Sequence, residues 1–275
     1  MRSKYQRKSP SEIIAMRAAG ILTAKALAAV KDAIRPGVST LELDAIAESV
    51  IRAGGGIPNF QLVRGYRHTI CASVNSQVVH GIPSERRLEP GDIISIDCGA
   101  ELDGWNGDSA FTSIVSGGEP NIVGERERLS SVTRRALYAG CAALASAKRL
   151  NEVGARIEQS IREAGAFGIL RDYVGHGIGR KMHEQPAVFN YQVSDPGPKI
   201  EPGLVIAIEP MLTGGKHETF VANDGWTVET VDSSDGAHWE HTVAVHEAGI
   251  WILTDPDGGS AGLAEFGVTP VPLAN

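Results

Sequence analysis

A near-duplicated pair of segments limits the folds open to this chain more than any other feature of it. Glu89–Asp97 (EPGDIISID) and Glu201–Glu209 (EPGLVIAIE) align without gaps at an offset of 112 residues. Each has a Glu-Pro-Gly turn, a β-rich strand and an acid at the strand's end. Upstream, residues 42–55 (ELDAIAESVIRAGG) align with residues 152–165 (EVGARIEQSIREAG) at an offset of 110. Amphipathic helices and Pro-Gly turns resemble one another by chance. Two matches in the same order at nearly the same offset instead mark an internal repeat. The expected fold class is therefore α/β, with two similar halves (about 9–120 and 121–254) related by a pseudo-twofold axis. Each half should hold a long helix, a short helix and a sheet.

The remaining elements follow from local signals. Ser9, Pro10 and Glu12 form a capping box that starts a helix carrying Ile13, Met16, Gly20, Leu27, Val30 and Ile34 at helical spacing; Arg35-Pro36-Gly37 stops it. A second box, Ser39 with Glu42, starts a helix that ends in Gly54-Gly55-Gly56. Residues 70–79 read as one strand, His80-Gly81-Ile82-Pro83 as a turn, and Gly117 to Val123 as a linker. A long Ala-rich helix is expected from Glu125 to Ala147 and a shorter one from Asn151 to Ala164. The core should be completed by strands at Leu204–Glu209, Trp226–Val231 and His238–Val245. Residues 1–8, with Arg2, Lys4, Arg7 and Lys8, read as a flexible, solvated start. The Gly- and Pro-rich stretch 255–275 reads as a loosely packed tail.

Composition narrows the partners. A formal charge of −7 argues against a general nucleic-acid or membrane surface. No signal-peptide core is found in the first 30 residues, and the three cysteines Cys71, Cys98 and Cys141 are odd in number and far apart. Both features suit a reducing, cytoplasmic setting. A monomer is expected.

The chemistry centres on the hairpin. If Asp103-Gly104 is a two-residue type I′ turn, Leu102 faces Trp105 and Gly99 faces Asp108. Asp97 then lies on the same face as Asp108, diagonal to it at roughly 7–8 Å, a gap that two carboxylate arms and an ion can span. An odd-length loop would put the two acids on opposite faces. Glu209 repeats the position of Asp97, and Glu240, on a face shared with His238 and Thr242, is the natural counterpart of Asp108. Four converging carboxylates repel unless cations lie among them, and two divalent ions resolve the conflict. Of the eight histidines, His176 is the strongest nitrogen ligand, because Gly175 and Gly177 let the backbone bring its imidazole close. His80 and His183 sit beside turns. His68, His217, His238, His241 and His246 are assigned surface or supporting roles. No phosphate-loop or dinucleotide pattern is present.

Taken together, these residues resemble the type I methionine aminopeptidases of the pita-bread (creatinase/aminopeptidase) fold. The resemblance covers about residues 9–254. It is carried by Cys71-Ala72-Ser73-Val74-Asn75 with Val79-His80-Gly81-Ile82-Pro83, Ser95-Ile96-Asp97, Gly107-Asp108, Gly175-His176-Gly177, Met182-His183-Glu184, Ile208-Glu209-Pro210, Asp224-Gly225-Trp226-Thr227 and Trp239-Glu240-His241-Thr242. It implies an antiparallel sheet core with outer helices and removal of N-terminal methionine ahead of a small second residue. The substrates would be nascent polypeptides, with the ribosome as a setting. Asp97 would chelate one ion, His176 and Glu209 the other, and Asp108 and Glu240 would bridge both. The ions could be Co, Mn, Fe, Zn or Ni, and water between them would become the nucleophile. Glu209 would shuttle a proton, His183 would stabilise the oxyanion, and His80 would bond the scissile amide. Tyr66, Cys71, Met182 and Trp226, with Phe60, would hold the methionine side chain. Met182, Val79, Asn106 and Val63 depart from the residues usual in the family, which affects pocket shape rather than the ligands. The Cys71-to-Pro83 motif fits the methionine enzymes better than their proline-directed relatives. Binding modules that have lost the activity also lack ligands, whereas all five positions are filled here.

Overall fold

The two capping boxes form as the sequence predicts. Helix α1 runs Pro10–Ala33 and helix α2 runs Thr40–Ala53, each with its cap serine bonded to the third helical N–H and the glutamate bonded back. The computed structural model describes residues 5–274. In α1, Ile13, Met16, Leu22, Leu27 and Val30 turn one face inward. Each such buried side chain contributes about 1.5–3 kcal/mol. This helix is long and apolar enough to cross a membrane (mean hydropathy 1.7), but 56% of that window is buried within the protein, as expected of a core helix.

The first-half helices cover the hairpin formed by strands Ile93–Leu102 and Trp105–Ile114. In the second half, helices α3 (Pro120–Ala143) and α4 (Asn151–Ala164) cover strands Val205–Ile208 and Glu240–His246 in the same manner. The two halves meet where Trp105–Ile114 pairs antiparallel with Glu240–His246, Ala110 opposite Glu240 and Ser109 opposite His241. All four of these strands belong to one nine-stranded sheet, extended by Gly175–Gly177 and Glu184–Val188 on the far side. The result is one sheet with outer helices and a near-symmetric seam down its middle.

Several expectations need correction. The stretch 70–79 is two strands, Ile70–Val74 and Gln77–Val79, because Asn75 takes a left-handed conformation (φ 57°) and turns the chain. Helix α3 begins at Pro120, inside the expected linker: proline suits the first helical position and the Glu119 carboxylate accepts from the Ile122 N–H. The expected strand His238–Val245 is broken at Trp239 into Gly236–His238 and Glu240–His246. Val228–Thr230 does not join the central sheet, but pairs with Thr219–Val221 and Gln77–Val79 in a small separate one.

The two ends also differ from the reading as loose segments. Residues 1–4 of the expected flexible start lie outside the described residues. Lys8, however, is buried, donates its backbone N–H to Gly203 O and holds Glu184 Oε2 at 2.5 Å. After Asp255, a short helix α5 (Ser260–Ala264) buries Leu263 completely, and Phe266 and Val268 pack on the second-half core. Val271 N–H donates to Ile250 O, His246 Nε2 donates to Val271 O, and Arg135 pairs with Glu265. Isolated apolar anchors without a period hold this segment, which is why pattern reading missed them.

Candidate active site

The hairpin turn settles the first two acids. Asp103 (φ 51°) and Gly104 (φ 75°) adopt the paired left-handed conformations of a type I′ turn. Leu102 therefore faces Trp105, Gly99 faces Asp108, and Asp97 faces Ala110. Asp97 and Asp108 share a face, as the even loop requires. Asp108 is fixed across the seam: its N–H donates to Thr242 Oγ1 (3.1 Å), and that hydroxyl donates back to the Asp108 carbonyl (2.9 Å). Ser109 Oγ likewise donates to the Glu240 carbonyl (2.7 Å).

His176 comes from the short strand Gly175–Gly177. A side chain at either glycine would collide with backbone, at Ala207 O and Gln185 O respectively, so only glycine lets this strand press so close to its neighbours. The His176 ring bonds the Gly177 carbonyl through Nδ1 (3.0 Å) and turns Nε2 inward, 3.5 Å from Glu209 Oε1 and 3.6 Å from Asp108 Oδ2. The following loop clasps the hairpin tip: Arg180 donates to the carbonyls of Asp103 and Gly104 and stacks over Trp105. That clasp places His183 at the exposed rim, its ring 4.4 Å from that of His176.

Asp97, Asp108, His176, Glu209 and Glu240 thus converge from both halves, and all five line one cavity of about 210 Å³. Their electrostatics are those of crowded, buried acids. Burial, then Asp108 and Glu209, hold the Asp97 carboxyl well above its ordinary range. Burial raises Glu240 in the same way, with Asp108, Glu209 and Asp97 adding to it. Burial also drives Glu209 up to about 8, against the pull of His176 and with a push from Asp108. For His176 burial acts downward, but Asp108 and Glu209 outweigh it and raise the imidazole to about 9.

One carboxylate oxygen each of Asp97, Asp108 and Glu240 is buried with no hydrogen-bond partner among the described residues. Leaving such groups unpaired costs kilocalories each, and acceptor-only oxygens gathered at one point call for cations rather than donors. Ligand atoms of Asp108, His176 and Glu240 lie within 4.8 Å of one another, as do those of Glu209, His238 and Glu240. The donor set of four carboxylates with imidazole fits divalent transition metals.

The rest of the cavity is apolar on one side. Phe60, Val63, Tyr66, Cys71 and Trp226 line it, together with His80 and His183. Tyr66 meets Trp226 edge to face, with ring centroids 5.1 Å apart, and donates its hydroxyl to Ile70 O. Cys71 stands opposite Asp97 in the ladder, and burial, with Asp97 nearby, pushes its thiol well above the ordinary value. It forms part of the cavity wall. Met182, expected in the pocket, is buried beside Gly99 in one apolar cluster with Phe60, Tyr66 and Cys71, although it is not among the residues that line this cavity. His80, in a left-handed conformation (φ 59°), is half-buried beside Tyr173.

One residue of the site was undervalued in the sequence. His238, given a surface or supporting role, is only 2% exposed, with Nε2 3.6 Å from Glu209 Oε2. The available signal was its place two residues before Glu240, on the same face of an alternating strand.

A sequence model of metallopeptidase family M24 matches residues 14–247. The chain belongs to metallopeptidase family M24. Among M24 relatives, the chain is 50% identical over 253 residues to methionine aminopeptidase 1 of Mycobacterium tuberculosis (strain CDC 1551 / Oshkosh), covering 90% of this chain and 94% of that one. It is 44% identical to methionine aminopeptidase 1 of Bacillus subtilis (strain 168), covering 90% and 98%. The crystal structure of methionine aminopeptidase from Thermotoga maritima superposes with a TM-score of 0.86 at 38% identity, over 91% of this chain and 99% of that one. Prolidase from Pyrococcus furiosus matches with a TM-score of 0.65 at 24% identity over 90% of this chain and 65% of its own, a likeness of fold alone. The architecture is the pita-bread fold of these M24 enzymes, and membership of the family makes the chain a metal-dependent peptidase.

Proposed function

We propose that this M24 enzyme is a methionine aminopeptidase that removes the initiator methionine from nascent polypeptides and peptides with a small second residue. The observation that carries the reading is the convergence of Asp97, Asp108, His176, Glu209 and Glu240, with buried unpartnered oxygens, beside an apolar cavity wall. These five residues would hold two divalent ions, Co, Mn, Fe, Zn or Ni. Asp97 would serve one ion, His176 and Glu209 the other, and Asp108 and Glu240 both. Bound there, the ions supply Lewis-acid polarisation of the scissile carbonyl and lower the pKa of attacking water towards neutrality.

The protein's own groups do the rest. Glu209 would take a proton from the attacking water and return it to the leaving amine. His183, at the rim beside His176, would donate to the charge that develops on the carbonyl oxygen. His80 bonds the scissile amide. Phe60, Val63, Tyr66, Cys71 and Trp226 receive an unbranched apolar side chain and keep water from it. The setting we infer is cytoplasmic.

The test is hydrolysis of Met-Ala-Ser across a series of metals. Activity should require divalent metal, vanish with EDTA and return on adding Co(II) or Mn(II). Across a Met-Xaa-Ser series it should be confined to small Xaa. Equal cleavage by the metal-free protein would end the metal reading, and a demand for proline at Xaa would move the chain to the proline-directed branch.

A further inference from the structure

We propose that His238 is a positioning residue that holds the carboxylate of Glu209 through its Nε2–H; this rests on the metallopeptidase reading above. The imidazole is 2% exposed, and its buried Nε2 has no hydrogen-bond partner among the described residues. The acid facing that nitrogen is Glu209, with Oε2 at 3.6 Å, while Oε1 faces His176 Nε2 at 3.5 Å. The carboxylate therefore lies between two imidazoles, one to each oxygen. They are not equivalent. His176 commits Nδ1 to a backbone carbonyl, which leaves Nε2 as a lone-pair donor for metal. In the role proposed, His238 carries its proton on Nε2, towards the other oxygen.

The backbone of His238 is anchored from the opposite half. Its N–H donates to Thr112 Oγ1 (2.9 Å) and to Ser95 Oγ (3.2 Å), and Thr112 Oγ1 donates to its carbonyl (2.8 Å). Ser95 and Thr112 are buried and hydrogen-bonded to each other. These bonds fix the backbone from which the ring projects. The terminal torsion of a glutamate is broad and roughly two-fold, so a free carboxylate would exchange its oxygens. A donor fixed on Oε2 leaves Oε1 as the oxygen turned to the ligand side.

The test compares His238→Ala, His238→Gln and the parent protein by calorimetric titration with Co(II) and by steady-state kinetics on Met-Ala-Ser, with thermal unfolding confirming that each variant folds. Removing a group that orients a ligand lowers metal affinity about 10–100-fold, so His238→Ala should weaken Co(II) binding by that factor and lower kcat about tenfold or more, with KM nearly unchanged. His238→Gln, which keeps an N–H donor, should recover both to within about threefold. Unchanged Co(II) affinity in His238→Ala would overturn the proposal. So would a glutamine variant as weak as the alanine one, since that result makes the imidazole itself a ligand. If the parent protein fails to cleave Met-Ala-Ser with every metal, the proposed function falls, while the Co(II) titrations still decide the role of His238.

Discussion

The two halves of the molecule deliver carboxylates to one point by different means. In the first half, Asp97 and Asp108 ride on one continuous hairpin whose two-residue turn fixes their register. In the second, His176, Glu209 and Glu240 arrive from three separate strands, one beginning just past the break at Trp239. The first half supplies only acids among the five ligand positions; the second adds an imidazole and a further histidine beside it. A duplicated fold can thus share the burden of a metal centre while its halves diverge, one keeping the rigid device and the other acquiring nitrogen chemistry.

Replacing the equivalent acid in each half is the strongest way to break this comparison. Asp108→Ala and Glu240→Ala should each lower kcat/KM for Met-Ala-Ser on the order of 10³-fold or more, because each removes metal-based stabilisation worth several kcal/mol. Substantial activity in either variant would mean that its half is dispensable. His183→Ala should cost less, about 10²-fold in kcat with little change in KM, as for loss of one oxyanion donor. An effect mainly on KM would make His183 a binding residue instead.

The third prediction concerns pH. In the metal-free protein Glu209 holds its proton up to about 8, above the ordinary 4.5, and His176 holds its own up to about 9, above 6.5. Below about 6.5 the buried His238 and His241, lowered to about 3 by burial, act in the opposite sense, so it is between about 6.5 and 9 that the folded state binds the more protons and stability should fall as pH rises. Metal must displace both protons, those of Glu209 and His176, so Co(II) affinity should rise by up to about a hundredfold per unit from pH 6 to 8. Thermal unfolding with and without metal, and calorimetry at several pH values, measure both. A metal-free Tm that climbs from about pH 6.5 to 9 would contradict these shifts.

The smallest effect sharpens the seam itself. Thr242→Val removes the hydroxyl that both accepts from and donates to the Asp108 backbone, leaving a buried N–H and C=O without that partner. It should cost about 1–3 kcal/mol of stability, read as a lowered Tm. A neutral result would mean that the sheet pairing alone holds Asp108.

What could be read in advance divides along the same lines. Caps at Ser9 and Ser39 and the turn at Asp103-Gly104 act within three or four residues, so their geometry follows from local chemistry. The acids Asp97 and Asp108 were placed on one face by that turn alone. The break at Asn75 was missed although Asn75-Ser76-Gln77 interrupts the apolar run and asparagine tolerates a positive φ. Nor was the packing of Leu263, Phe266 and Val268, whose partners lie on other elements and impose no period. His238 was visible as a neighbour of Glu240, but its backbone is fixed by Ser95 and Thr112, more than a hundred residues earlier. Met182 was expected at the cavity from the family pattern, and its place beside Gly99, in one cluster with Phe60, Tyr66 and Cys71, depends on contacts that no local pattern reveals.

The central claim is that both halves feed one metal centre, and crystals grown with Co(II) and measured at the cobalt absorption edge test it most directly. The account predicts two anomalous peaks in the cavity, one beside Asp97 and one beside His176 and Glu209, with Asp108 and Glu240 reaching both. Peaks confined to one half, or none within reach of Asp108 and Glu240, would contradict it.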